Sequence, residues 1–402
     1  MTKQSAPTPA ISNYRMPAEW ESHASTWLAW PHFKGDWPGK FEPIPWVYAE
    51  IIRNLARREP VNLIVQGEQA ENNARGILEN AGALSPNVVF HRWRTDRVWM
   101  RDSGCIFLTP TSPLSRSHPE RGATIRQANR STESKNPSPL HQARQGSRDQ
   151  NSDPLLALHF QFNAWAKYNN YKFDAKVGAR MAKAAGARIV APRFNNERVV
   201  LEGGSIDVNG RGTILTTEEC LLSATQERNP HMDRTAYDQM FADYFGIQSV
   251  IWLGEGIEGD DTHGHVDDLS RFVAADTVVT MIEHNERDEN YSALHHNLGR
   301  LRAARDQDGH RLNVVEIPMP RPVVFEGRRL PASYANFYIA NGLVLVPVFN
   351  DPNDRIALNT LSELFPDREI VPIYSGDLIW GFGALHCMTQ QEPAVETQTE
   401  QE

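Results

Sequence analysis

The chain has 402 residues, 40% of them apolar, enough for one large domain or two ordinary ones with a sizeable core. Its 41 Lys and Arg against 50 Asp and Glu give a formal charge of −9, which argues against a nucleic-acid surface and suits a small cationic substrate. Cys105, Cys220 and Cys387 are too few and too scattered for a disulfide framework or a paired-cysteine zinc site, and no apolar leader or run of about 18 apolar residues is present, so a soluble cytoplasmic protein with reduced thiols is expected.

In chain order, Val47, Ile51 and Leu55 recur at helical spacing and predict a helix over 46–58, followed by strands VNLIV and NVVFHRW, with CIFLT closing the unit. Residues 111–153 are rich in Ser, Pro, Gln, Asn and Arg and have almost no bulky apolar anchors, so a disordered, solvated surface insertion is expected there. A helix at 175–185 then leads to strands ARIVA and RVVLE and to SIDVNGRGTILT, turned at Asn209-Gly210. Helix 234–245 leads to SVIWL and the hairpin LSRFVAADTVVTMI. Helix 290–305 leads to LNVVEIP and NFYIANGLVLVPVF, turned at Asn341-Gly342. Helix 354–365 leads to REIVPIY and the final LHCMTQQ. Five helix-plus-strands units read as a repeat architecture in which neighbours cover each other's apolar faces. The expected fold is therefore α/β, a closed five-bladed propeller over a single domain at 14–393, with flexible tails at 1–13 and 394–402.

Chemistry-bearing residues fall at corresponding points of these units. Trp99 and Asp102 precede the outgoing strand of the first, Glu202 that of the second, His265 and Asp267 that of the third, Asn336 that of the fourth and Cys387 that of the fifth. If the units close into a ring, a thiol, an imidazole, three carboxylates and an amide meet at its axis.

The strings MPAEWESHASTWLAWP, WMRDSG, LEGGSID, DDTHGHVDDLSRF and GFGALHCMTQQEP also resemble the agmatine deiminase group of the guanidino-modifying superfamily, related to the bacterial peptidylarginine deiminases. The resemblance spans about residues 14 to 393 and implies a five-bladed α/β propeller. It implies Cys387 as nucleophile, His265 as general acid/base, Asp102 and Asp267 as the guanidinium-binding pair, Glu202 as the family carboxylate, and Trp99 and Asn336 as pocket positions. Two departures bear on substrate choice: GFGALHC stands where many members read GGGNIHC, and Ser103-Gly104-Cys105 replaces the usual x-Gly-Pro.

Physical chemistry fits these roles. A guanidinium is a planar, delocalised cation that two fixed carboxylates can orient, and a thiolate beside a cation is a competent nucleophile. The expected reaction converts agmatine to N-carbamoylputrescine and ammonia through a covalent thiouronium intermediate, with no cofactor and no metal. Peptidylarginine is the alternative substrate, and a homo-oligomer is left open. Blander readings stand beside each role: Cys105 and Cys220 as small buried hydrophobes, Trp99 as core, Glu202-Gly203-Gly204 as a bulge, Asp260 and Asp261 as loop caps. His263 and His265 with those aspartates suggest a metal-dependent hydrolase, and an acidic ring scaffold is the non-catalytic reading. Arg101 and Arg271 are the nearby cations that an arginine carboxylate would need, and alternation turns them away.

Overall fold

A strand that follows a crossover helix can lie parallel to the strand before it, whereas a two-residue turn only reverses the chain. The computed structural model describes residues 11, 13–111 and 155–395 and contains five mixed sheets of three or four strands, besides two small hairpins. Three sheets repeat one plan, an antiparallel pair followed by a helix and a parallel strand. Asp207–Val208 and Thr213–Thr217 are extended across helix Arg234–Phe245 by Ser249–Leu253. Ser270–Ala274 and Thr277–Ile282 are extended across helix Asn290–Ala303 by Asn313–Pro318. Tyr338–Ala340 and Leu343–Val348 are extended across helix Pro352–Leu364 by Glu369–Tyr374.

The other two sheets assemble strands from distant parts of the chain. Tyr14–Arg15, Ile106–Pro110, Leu156–Leu158 and Arg188–Val190 form one. Gln390–Pro393, His23–Ala29, Val61–Val65 and Val88–Arg92 form the other, so a strand near the C-terminus lies antiparallel to one near the N-terminus. No helix among the described residues is long and apolar enough to cross a membrane. The segment read as a disordered insertion at 111–153, Thr111 apart, lies outside the described residues, as do most of both tails.

Several expectations are corrected. CIFLT does not complete the sheet of VNLIV and NVVFHRW, because the helical turn Met100–Ser103 redirects the chain and Ile106–Pro110 pairs with Leu156–Leu158 instead. RVVLE is not a strand: Arg193–Phe194 and Glu197–Arg198 make a two-residue hairpin, and Val200 is a lone bridge to Gln161. LHCM is a helical turn, Leu385–Met388, rather than a strand. Helix Glu68–Asn80 leaves little mark on the sequence because only Ala74 and Leu78 supply buried apolar positions among polar ones. The first helix, Ile44–Leu55, buries Ile44, Tyr48, Ile51, Ile52 and Leu55, and leaves Val47 only half-buried.

What positions the site is a set of five short turns, each just ahead of a strand of a different sheet: Met100–Ser103, Gly203–Ser205, Val266–Asp268, Tyr334–Asn336 and Leu385–Met388. Each turn packs against the next, and the last packs against the first. The turn that carries Cys387 is anchored by Met388, which is fully buried in the main core. Met388→Ala should therefore destabilise the fold by about 2–5 kcal/mol, read as a lower urea midpoint with an unchanged m-value.

Candidate active site

The five turns bring together every predicted catalytic side chain. Glu202, His265 and Asp267 are fully buried, and Asn336, Cys387 and Asp102 are at most 5% exposed. His265 lies at the centre. Its Nδ1 is 3.9 Å from both Asp102 Oδ1 and Asp267 Oδ1, and its Nε2 is 3.8 Å from Glu202 Oε2. Both ring nitrogens, and Asp267 Oδ1, have no hydrogen-bond partner among the described residues. Buried polar atoms without partners are rare in native proteins, and His265 Nδ1 and Asp267 Oδ1, 3.9 Å apart, are two that a bound ligand would satisfy.

Cys387 Sγ accepts a hydrogen bond from Asn336 Nδ2 at 3.0 Å and lies 3.7 Å from Asp267 Oδ2. Asn336 holds the nucleophile's turn from the other side as well, since its Oδ1 accepts from the backbone N–H groups of His386 and Cys387 at 3.0 and 3.3 Å. Asp102 is fixed by two donors, the Gly204 N–H at 3.0 Å and the Trp165 indole N–H at 2.9 Å. The Gly203-Gly204 pair is there for close approach. A Cβ on Gly204 would stand 2.5 Å from His265 Nδ1 and 3.0 Å from Asp102 and Asp267, and one on Gly203 would meet the Arg101 carbonyl at 2.3 Å. Neither glycine adopts a left-handed φ, so the bulge reading gives way to a steric one. Trp99 packs in the core against Trp37 and also walls the Cys387 turn, where a Cβ on Gly383 would meet its ring at 2.6 Å.

Burial and charge pull these groups apart in proton affinity. Burial raises Asp102 to about 6, against the pull of His265 and with the help of Asp267 and Glu202. Burial would raise Glu202 too, but the Arg228 guanidinium 3.0 Å away, with His265, brings it to about 2. Burial disfavours the His265 imidazolium, yet Asp102, Cys220 and Glu202 outweigh it and hold the ring well above its ordinary value. Asp267 resists burial and stays below its usual range because His386 Nδ1 sits 2.6 Å from it. Burial and the charge on Asp267 drive Asp268 well up. Burial, then Asp267, Asp268 and Asp102, push the Cys387 thiol well above the usual range, with the Asn336 donor opposing.

The metal set suggested by His263, Asp260 and Asp261 does not converge on His265. His263 Nε2 faces Ser223 and its Nδ1 faces Glu219. Asp260 caps the backbone N–H groups of Thr262, Gly264 and His265, and Asp261 binds Lys167 and Tyr168. A broad cleft of about 1160 Å³ lined by Glu219, His263 and Arg300 includes none of the seven catalytic and pocket residues above.

A profile described as Porphyromonas-type peptidyl-arginine deiminase matches residues 15–393, nearly the whole described chain. The chain belongs to that family. Within the family it is 31% identical to the agmatine deiminase of Pseudomonas fluorescens (strain SBW25) over 96% of this chain and 97% of that one. The agmatine deiminase of Pseudomonas aeruginosa (strain LESB58) matches at the same identity and coverage. Among solved structures, the agmatine deiminase of Enterococcus faecalis superposes with a TM-score of 0.79 at 27% identity, covering 98% of this chain and 99% of that one. A C. jejuni agmatine deiminase with a cysteine-to-serine change and substrate bound gives a TM-score of 0.75 at 28% identity, covering 95% and 97%. The chain thus has the mixed α/β fold of these deiminases.

Several residues around the site were not singled out from sequence for the parts they take. His386 bridges Asp267 and Glu19, at 2.6 and 2.8 Å. Glu19 in turn meets Arg101 and Arg271. Arg228 neutralises Glu202, and Trp165 covers Asp102. The signals were weak: Glu19 lies inside the MPAEWESH string and His386 adjoins Cys387, but Arg228 and Trp165 stand in polar loop sequence. Gly204→Ala should force at least one of His265, Asp102 and Asp267 off position. Overpacking of this kind costs roughly 1–3 kcal/mol; a misplacement that costs the transition state as much lowers kcat/KM about fivefold to 150-fold, while a normal circular dichroism spectrum would show the fold intact.

Proposed function

We propose that the chain hydrolyses agmatine to N-carbamoylputrescine and ammonia through a covalent intermediate on Cys387. The observation that carries this reading is the buried cluster of the Cys387 thiol, the unpartnered His265 Nδ1 and the Asp102 and Asp267 carboxylates, in a chain 31% identical to agmatine deiminases. We take residues 14–393 as one catalytic domain whose five sheets form a five-bladed propeller. The cyclic packing of the five turns supports that arrangement.

In the empty site the sulfur is a thiol and His265 an imidazolium, by the charge balance above. A guanidinium settling between Asp102 and Asp267 neutralises the charges that hold the thiol proton, which leaves as the cation arrives. The thiolate attacks the guanidinium carbon. His265 gives its proton to one terminal nitrogen, which departs as ammonia when the C–N bond breaks, leaving an S-alkyl thiouronium and a neutral imidazole. Water then adds to the same carbon, His265 takes one of its protons, and collapse with cleavage of the C–S bond releases the carbamoyl product. The hydroxyl proton passes to sulfur, which restores thiol and imidazolium. Glu202, kept ionised by Arg228, stabilises the charged ring from its Nε2 side.

The substrate reading rests on where nearby cations spend their donors. Arg271 is fully buried and engaged by Asp207, Glu19 and the Phe337 carbonyl. Arg101 lies on a helical turn rather than a strand and binds Gln391, Glu19 and the His386 carbonyl. Lys167 is paired with Asp261. An arginine carboxylate buried beside groups so committed would be left without a partner, a penalty of several kcal/mol that agmatine avoids.

Cys387→Ser should abolish turnover without unfolding the protein, because a serine hydroxyl does not ionise near neutral pH; retained ammonia release would remove the mechanism. For agmatine, kcat/KM should fall about tenfold per unit as pH drops below about 6, where Asp102 takes up a proton and loses the charge that binds the guanidinium. An acid limb unchanged in Asp102→Asn would assign the titration elsewhere. Side-by-side kcat/KM values for agmatine, L-arginine and a blocked arginyl amide should favour agmatine by at least a hundredfold, and parity for either arginine compound would overturn the substrate.

A further inference from the structure

Cys220 makes and breaks no bond in the reaction above, yet it lies beside its central residue. The Cys220 sulfur, Glu202 carboxylate oxygen and His265 ring nitrogen all lie within 4.8 Å of one another, and all three residues are at most 1% exposed. The cysteine is held in place on the helical turn Glu218–Leu222, where its N–H donates to the N-capping Thr217 hydroxyl at 3.1 Å. His265 Nε2, 3.8 Å from Glu202 Oε2, is fully buried and has no hydrogen-bond partner among the described residues. Zinc bonds of about 2.0–2.3 Å place neighbouring ligand atoms of a tetrahedron about 3.3–3.7 Å apart, so small side-chain rotations would close this cluster on a metal. Thiolate, imidazole and carboxylate together select zinc or cadmium over magnesium or calcium. Local charge favours a cation too, since Asp102 and Asp267 are buried close by, with Arg228 offsetting Glu202.

We propose that Glu202, Cys220 and His265 form an inhibitory site for a thiophilic divalent cation such as Zn²⁺, with the fourth position open to water. Binding releases the Cys220 thiol proton and one His265 proton to solvent, and the ring nitrogen becomes a metal ligand. The imidazole then cannot protonate the departing ammonia, and two added positive charges repel the guanidinium. The site itself stands on its geometry, whereas its inhibitory effect rests on the part given to His265 in the proposed reaction.

The test separates the two. Purified Cys387→Ser protein, which cannot turn over, should still bind one Cd²⁺ with sulfur-to-metal charge-transfer absorption, and Zn²⁺ by calorimetry. Cys220→Ser should lose that absorption and bind Zn²⁺ at least tenfold more weakly. The unaltered enzyme should be inhibited by Zn²⁺ competitively with agmatine and recover with chelator. Absorption lost in Cys387→Ser but kept in Cys220→Ser would put the metal on the nucleophile and overturn the site. Absence of metal absorption in Cys387→Ser would overturn it without recourse to the second variant, should that one fail to fold. Binding through Cys220 with undiminished turnover would keep the site and overturn the role of His265.

Discussion

Four carboxylates, those of Asp102, Glu202, Asp267 and Asp268, are buried within one cluster, and much else in the structure serves to make that tolerable. An isolated buried carboxylate is expensive, and removing one partner of a buried ion pair costs on the order of 3–5 kcal/mol. Each acid here meets the demand differently. Glu202 has Arg228, Asp267 has His386, Asp268 takes a proton and the amide of Asn336, and Asp102 relies on two neutral N–H donors. What remains is a deficit of positive charge around His265 and Cys387. A guanidinium fills it in the proposed reaction, and a divalent metal would compete for it.

That balance extends one layer outward. His386 can hold Asp267 because Glu19 faces its other nitrogen, and Glu19 is itself held by Arg271, by Arg101 and by the backbone N–H of Ile339. Arg271 then spends its remaining donors on Asp207 and on carbonyls of the Ala335–Phe337 segment. A residue from near the N-terminus therefore links the turns that carry Asp267, Asn336 and Cys387. The pairing of Gln390–Pro393 with His23–Ala29 holds these two segments in the geometry that this link requires.

The same helical turn recurs ahead of one strand in each of five sheets for a related reason. A strand aims alternate side chains to opposite faces, whereas a single turn placed before it can present one side chain along the strand direction. Five such turns packed in a cycle deliver one or two groups each to a common centre, and glycine at positions 203 and 204 lets the second turn approach closely enough to complete it. The nucleophile needs no long helix. Its position depends on Asn336, which grips both the sulfur and the backbone of its turn.

The sequence by itself determined the local elements, because apolar spacing of helices such as 234–245 and strands such as SVIWL reports directly on which faces must be buried. It also offered Cys387, His265, Asp102, Asp267, Glu202 and Asn336 as candidates, since their chemistry and their place ahead of strands are written in the chain, and the fold brings them together. Which strands share a sheet was decided only by tertiary structure, as Ile106–Pro110 shows, because parallel and long-range pairing leaves no mark on neighbouring residues. The electrostatic partners were hidden for the same reason. Arg228, Trp165, Glu19 and Cys220 sit in segments whose local pattern is that of ordinary loop or core. Only folding brings them within reach of the site, where charge and burial act through distance in space rather than along the chain.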